Sequence, residues 1–374
     1  MAFDSRVNSA VEFLASLLEP DTASTVLPKW MIEYFDNELL RDEIIHEAHR
    51  NKILQRSFRV LIKLEGESGG LQDSICRDIQ DMLDKYALRS EGTLGVIADA
   101  QKALADAGVP FTVFKTVLDF PDLNSEIDIL ITKKNLDDAE IALKTVNPSF
   151  VGKGNWLGEL PTKRHIYFLR ENEEYEIELY PKFTEFGEDY IFDDEVINRS
   201  RVVKLGQTEA WCPTAEDDLL IACTHTLYRH GGIIKLSDIY STVRTVSTND
   251  IDWEYIYGRA SLLGVSKGVS VFLSFIKSYY KERTGYDLPI HLKDPNSRSS
   301  RLATSKNLAF PYRFPTYDAI GLFTRKFLND LRRFKFRSAS GSFKTLGFKV
   351  ISRAMYTALK IIGRKDLLRK LGWA

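Results

Sequence analysis

The chain has 374 residues, 44% hydrophobic and 28% charged, which suits a soluble protein of two or three domains and excludes a disordered chain. Its net charge of −1 hides an asymmetry: residues 325–374 hold 14 Lys/Arg against 2 Asp/Glu, so anion-seeking surface is concentrated at the C-terminal end. No window approaches eighteen uninterrupted apolar residues, and the opening MAFDSRVNSAVEFLASLLEP has acids where a signal peptide would be basic.

Residues 1 to about 88 read as helical, with apolar positions spaced at three and four in AVEFLASLL and SICRDIQDMLDKYAL, and a loop at Glu65–Gly70. The texture changes near residue 92. The helix LGVIADAQKALADAG ends on Gly108, a suitable C-cap, and is followed by the strand FTVFKT, the turn-rich DFPDLNS and the strand EIDILIT. Asn135 is placed to cap the helix LDDAEIALKTV. HIYFLRENEEYEIELYPK reads as a hairpin with its polar turn at Glu171–Glu174, and RVVKLGQTEAWCPT as a second short pair. After Thr214, whose spacing to Asp217 is that of a capping motif, four helical patterns follow; Asp250 is placed to cap the one that carries Trp253. LPIHLKDPNSRSS reads as a linker into the basic tail.

The chemistry begins with Glu126 and Asp128. Side chains alternate along a strand, so these two acids share one face while Ile127 and Ile129 take the other. Two carboxylates facing one volume repel unless a cation lies between them, and magnesium favours such hard oxygen ligands together with phosphate and water. Glu176 and Glu178 repeat the pattern in YEIELYPK, and parity alone does not choose between them. Acid pairs of this kind also occur on solvated faces. Cys76, Cys212 and Cys223 have no close spacing and read as buried thiols of a reducing cytoplasm rather than a zinc site. His225 and His230, five apart, and His165 read as packing or hydrogen-bonding residues.

The order of these pieces resembles the uncharacterised nucleotidyltransferase branch of the polymerase-beta-like nucleotidyltransferase superfamily. The matching stretches are VFKT with Lys115, SEIDILI with Glu126 and Asp128, RHIYFL with His165, YEIELYPK with Glu178, and the helical PTAEDDLLIACTHTLYRH, KLSDIYSTV and IDWEYIYGRASLLG, over roughly residues 92–280. The resemblance implies an α+β fold, with a palm carrying a small mixed sheet over 91–213 and a helical bundle over 214–290 closing the active site. By their own patterns the flanks read as a helical N-terminal region over 1–90 and a linker with a basic amphipathic extension over 291–374. The resemblance also implies transfer of a nucleoside monophosphate from an NTP such as ATP to an acceptor, with Mg2+ or Mn2+ held by Glu126, Asp128 and Glu178. Glu178 would also orient or deprotonate the acceptor. Lys115, Thr116, Lys235 and Asp238 would contact the nucleotide, although Lys235 also reads as solvated and Asp238 as a hydrogen-bonded buried acid. The superfamily usually has a Gly-Gly or Gly-Ser turn where this chain reads Lys115-Thr116-Val117, and Asp where it has Glu126. The alternative is a catalytically degenerate nucleotide-binding or scaffold protein.

The tail from Thr324 to Ala374 interleaves basic and apolar residues at helical spacing and ends near Trp373. It suits an anionic membrane surface, a nucleic acid, or packing against the acidic remainder. A membrane or RNA adaptor acting through 325–374 is therefore a second alternative, and the expected location is cytoplasmic, with peripheral membrane attachment through this segment.

Overall fold

The computed structural model describes residues 2–17, 27–116, 123, 126–146, 148–153, 164–170, 173–184, 188–229, 232–293, 308 and 310–347. The N-terminal region is helical as expected: α1 (Ala2–Ser16), α2 (Lys29–Asp36), α3 (Glu38–Arg50) and α4 (Leu54–Ser68). Asn37 starts α3 by accepting a hydrogen bond from the Leu40 amide at 3.1 Å. The loop expected at Glu65–Gly70 shrinks, because α4 continues to Ser68 and only the glycines break it. Then α5 (Asp73–Asp106) runs for 34 residues straight through the expected boundary at 90–91. Gly92 lies within it, and a Cβ there would sit 1.9 Å from the Tyr175 hydroxyl, so the helix stays close to the sheet only with glycine at that point. Gly108, with φ of +66°, follows the helix end as a left-handed residue, as expected.

The sheet is mixed, in the order β1 (Phe111–Phe114), β2 (Glu126–Ile131), β5 (Glu173–Tyr180), β4 (Arg164–Arg170) and β3 (Pro148–Lys153). Only β2 and β5 run parallel. Between β2 and β3 comes α6 (Leu136–Lys144); Asn135 precedes it without a side-chain cap, since a short 3-10 turn over Lys133–Asn135 leads in instead. One face of the sheet, carrying Ile127, Ile129, Ile131 and Ile177, packs with Val96, Ile97 and Ala100 of α5 and Ala139 and Leu143 of α6. The other face, with Phe114, Leu130 and Tyr180, joins a larger core with the helices that follow. The acids lie on this second face.

After α7 (Asp193–Asn198), the hairpin β6 (Arg201–Leu205) and β7 (Thr208–Cys212) forms as the sequence suggests. Gln101 of α5 fastens it, donating to the Glu209 carbonyl at 2.9 Å and accepting from the Trp211 amide at 2.7 Å. The helical half is α8 (Ala215–Thr224), a π-helical turn over His225–Arg229, α9 (Leu236–Thr248), α10 (Trp253–Leu263) and α11 (Ser266–Thr284). Thr214 caps α8, accepting from the Asp217 amide at 3.4 Å. The cap of α10 is Asp252 rather than Asp250, because it is Asp252 whose carboxylate accepts from the Tyr255 amide at 2.9 Å. Cys212 and Cys223 are buried and Cys76 is half-buried, all three as free thiols.

A two-residue strand pair joins β8 (Ile233–Ile234) to β9 (Tyr312–Arg313), and α12 (Thr316–Arg332) and α13 (336–347) complete the described chain. Part of the basic extension is thus packed on the body. Lys326 is fully buried in a 2.6 Å ion pair with Asp330, and Lys335 lies 3.5 Å from Asp189. The Thr345 hydroxyl donates to buried Glu188, which also accepts from Tyr190 and Thr184. Residues 348–374, most of the expected linker, most of DFPDLNS and His230 lie outside the described residues. No described helix is long and apolar enough to cross a membrane.

Candidate active site

Because β2 and β5 run parallel in register, Asp128 stands directly beside Glu178, and Glu126 beside Glu176. Ligand atoms of Glu126, Asp128 and Glu178 all lie within 4.8 Å of one another. Asp128 and Glu178 are buried, while Glu126 sits at the exposed mouth. The Glu126 carboxyl is pushed above its ordinary range by burial, then by the charges of Asp128 and Glu178, with Lys115 and Lys52 opposing.

Glu176 takes a different role. Its Oε1 lies 2.5 Å from His165 Nδ1, while Glu178 Oε1 is 3.6 Å from the same nitrogen. His165, Glu176 and Glu178 form a second compact group of possible ligands, but the short His165–Glu176 contact closes it internally. His165 therefore acts as a hydrogen-bonding residue on β4 that fixes the acid beside the triad.

At the end of β1, Lys115 adopts φ of +56°. The left-handed conformation that glycine usually supplies is thus present here with a lysine. Its ammonium reaches back into the acid cluster, 2.8 Å from Asp128 Oδ1 and 3.3 Å from the Tyr180 hydroxyl, and lies over the Phe114 and Tyr180 rings. Burial pulls the Lys115 pKa below its ordinary value and Arg229 adds to that, while Asp128 opposes it. Tyr180 donates to Glu178 Oε2, and its own pKa is raised by burial and by Asp128. Thr116 uses its hydroxyl on the β2 backbone, accepting from the Asp128 amide at 3.0 Å and donating to the Glu126 carbonyl at 3.4 Å.

The triad opens into a cleft of about 300 Å³ between the sheet and the helical half. Lys235 and Asp238 line it at the start of α9, where the Asp238 carboxylate accepts from the Lys235 amide at 2.8 Å and so completes the helix cap. His225 also faces the cleft, tilted against Phe183 with ring centroids 6.2 Å apart. All seven residues expected at the site, Lys115, Thr116, Glu126, Asp128, Glu178, Lys235 and Asp238, line this one cleft.

The matched segment of the chain agrees with this geometry. Residues 37–281, well over half of the chain, match the family model described as an uncharacterised nucleotidyltransferase. The chain belongs to that family. Neither the comparison with curated proteins nor that with solved structures gave a match. The nucleotidyltransferase segment begins some way before residue 92, where the sequence resemblance starts, and so takes in α3, α4 and all of α5.

That extension matters to the site of this nucleotidyltransferase, because Lys52, just after α3, lines the cleft in a left-handed conformation with φ of +53°. Arg229 closes the same end from the π-helical turn, its guanidinium 5.4 Å from the Tyr180 ring and 5.0 Å from that of Phe183. Sequence reasoning missed Lys52 and Arg229. A signal existed for Arg229, which falls four residues after His225 on the cleft side of the same helix. None existed for Lys52, whose approach is a long-range contact.

Proposed function

We propose that this nucleotidyltransferase moves a nucleoside monophosphate from an NTP to an acceptor hydroxyl or amine, using a divalent cation at Glu126, Asp128 and Glu178. The observation that carries the reading is the convergence of three carboxylates from adjacent strands within 4.8 Å, with an ammonium already drawn among them. A cation-seeking acid cluster beside a basic wall of Lys52, Arg229 and Lys235 suits a polyphosphate substrate. Mg2+ or Mn2+ bound there would supply charge neutralisation and a template for in-line displacement.

The chain's own residues do the rest. Lys52, Arg229 and Lys235 hold the β- and γ-phosphates. The acceptor oxygen or nitrogen attacks the α-phosphorus; its new bond to phosphorus forms as the bond to the β-phosphate oxygen breaks, and pyrophosphate leaves. Glu178, aligned by Tyr180 and by the His165–Glu176 pair, takes the acceptor's proton. Lys115, which lies 2.8 Å from Asp128, would give up that carboxylate where a cation is held and would offer its ammonium to the phosphates. The left-handed turn at Lys115 favours catalysis over the degenerate scaffold, since the bend expected of glycine is retained.

The test is incubation with Mg2+ or Mn2+, each NTP in turn, and cell extract as acceptor source. Pyrophosphate release or labelled product is expected for the native chain and not for Asp128→Asn. Nucleotide binding with no pyrophosphate under any condition would instead establish the scaffold.

A further inference from the structure

The cleft has two ends. The stripe Asp218, Ala222, His225 and Arg229 faces it along α8 and the π-helical turn, so Asp218 lies about 15 Å from Arg229 along that axis. Lys52, Arg229 and Lys235 make one end basic. At the other end Asp218 shares the cleft wall with Ser241 and Thr245 of α9, where the cleft adjoins a second one of about 280 Å³ bordered by Arg201 and Arg244.

Asp218 is 7% exposed, and its Oδ1 has no hydrogen-bond partner among the described residues. Its neighbour Asp217 shows what a structural acid looks like here: that carboxylate accepts from Tyr255 at 2.8 Å, Thr214 at 3.0 Å and Arg199 at 3.2 Å. A buried polar oxygen without a partner costs stability, so this one, set in the wall of a cleft, calls for an explanation. Burial also pushes the Asp218 carboxyl well above the ordinary range; Arg201 opposes this and Asp217 reinforces it. In the protonated form that burial favours, the group offers a donor beside an acceptor. Leu219, Ile221 and Ala222 give the wall next to it an apolar surface.

We propose that Asp218, with the hydroxyls of Ser241 and Thr245, forms the subsite that reads the nucleobase of the NTP. A base is the part of an NTP that combines flat apolar faces with an edge of adjacent donors and acceptors. The phosphates occupy the basic end and the base the end at Asp218. This inference rests on the nucleotidyl-transfer reading of the same cleft.

The experiment measures equilibrium affinity of the full chain for the Mg2+ complexes of ATP, CTP, GTP, UTP and inorganic tripolyphosphate. The native chain is expected to bind at least one NTP more tightly than tripolyphosphate. Asp218→Leu removes the reading group along with an unpartnered polar atom, so it should fold and melt at a higher temperature. It should lower the affinity for the preferred NTP about tenfold or more while leaving tripolyphosphate unchanged. Asp218→Asn keeps a donor beside an acceptor and should preserve the order of preference among the four NTPs. An unchanged NTP-to-tripolyphosphate ratio in the folded Leu variant, or an Asn variant that loses the order of preference as Leu does, overturns the subsite. If the native chain binds neither NTP nor tripolyphosphate, the nucleotidyl-transfer reading falls first and takes the subsite with it.

Discussion

Asp128 and Glu178 are direct register partners across the one parallel strand pair of the sheet, and both are buried on the face that the helical half covers. Parallel pairing without offset makes equal positions on the two strands share a face, so a second acid is delivered beside the first without any loop having to place it. Rigid placement of this kind is what a charge-stabilising site needs.

Asp128→Asn keeps an oxygen for the Lys115 ammonium but removes a charge from the triad. Turnover should fall by about 10³-fold or more, the scale of losing one charge-stabilising group in a water-poor site. The far-UV spectrum should be unchanged. Pyrophosphate release at saturating NTP measures the effect, and residual turnover within tenfold of the native chain would remove Asp128 from the machinery.

Glu126 predicts a pH effect. Its pKa is raised on folding, by burial and then by Asp128 and Glu178, so folding takes up a proton between the ordinary carboxylate value and the raised one. The associated destabilisation is absent below that window and grows as pH rises through it. In chelator, the melting temperature of the native chain should therefore fall across the window more steeply than that of Glu126→Gln. Saturating Mg2+ should raise the native melting temperature more than the variant's, since cation binding at a hundred times its Kd adds about 2.7 kcal/mol. Identical pH and Mg2+ responses would place Glu126 outside the cluster's electrostatics.

Lys115 sets two effects against each other. Glycine in its place would relieve a left-handed residue, worth about 1–2 kcal/mol. It would also leave Asp128 without its 2.8 Å partner, and breaking a buried pair costs about 3–5 kcal/mol. The second effect wins: Lys115→Gly should be less stable than the native chain in chelator. Because a divalent cation replaces the missing charge, Mn2+ should raise the variant's melting temperature by more than it raises the native one. A variant that is more stable in chelator would show that the ammonium contributes little to holding the acids together.

Strand alternation made the acidic face legible, because Glu126 and Asp128 needed only the period of two to be placed together. The same rule stopped at Glu176 and Glu178, which share a face; the register and the His165 contact separate them, and neither can be read from one strand. Lys52 reaches the cleft from the N-terminal helices and Asp218 from the first turn of α8, contacts set by packing between elements distant in sequence. The misplaced cap at Asp250 is a local error of two residues, since Asp250 and Asp252 both precede the same helix and only the backbone angle selects one. The basic texture of 325–347 suggested solvent or a charged partner. Lys326 shows how texture misleads, because one lysine of that run is paired and fully enclosed.

That enclosure makes the C-terminal extension testable as part of the folded body. Lys326 pairs with Asp330 at 2.6 Å, and the Ser338 hydroxyl donates to the same carboxylate oxygen at 2.7 Å while accepting from the Asp189 amide at 2.9 Å. Replacing Lys326 with Met strands the Asp330 charge in the interior and should cost about 3–5 kcal/mol. Replacing Asp330 with Leu as well removes the stranded charge, and the double variant should recover most of the loss. Denaturant unfolding of the three proteins decides the matter. A cost below about 1 kcal/mol for the single variant would mean that this pair within α12 contributes little to the buried packing of the C-terminal helices.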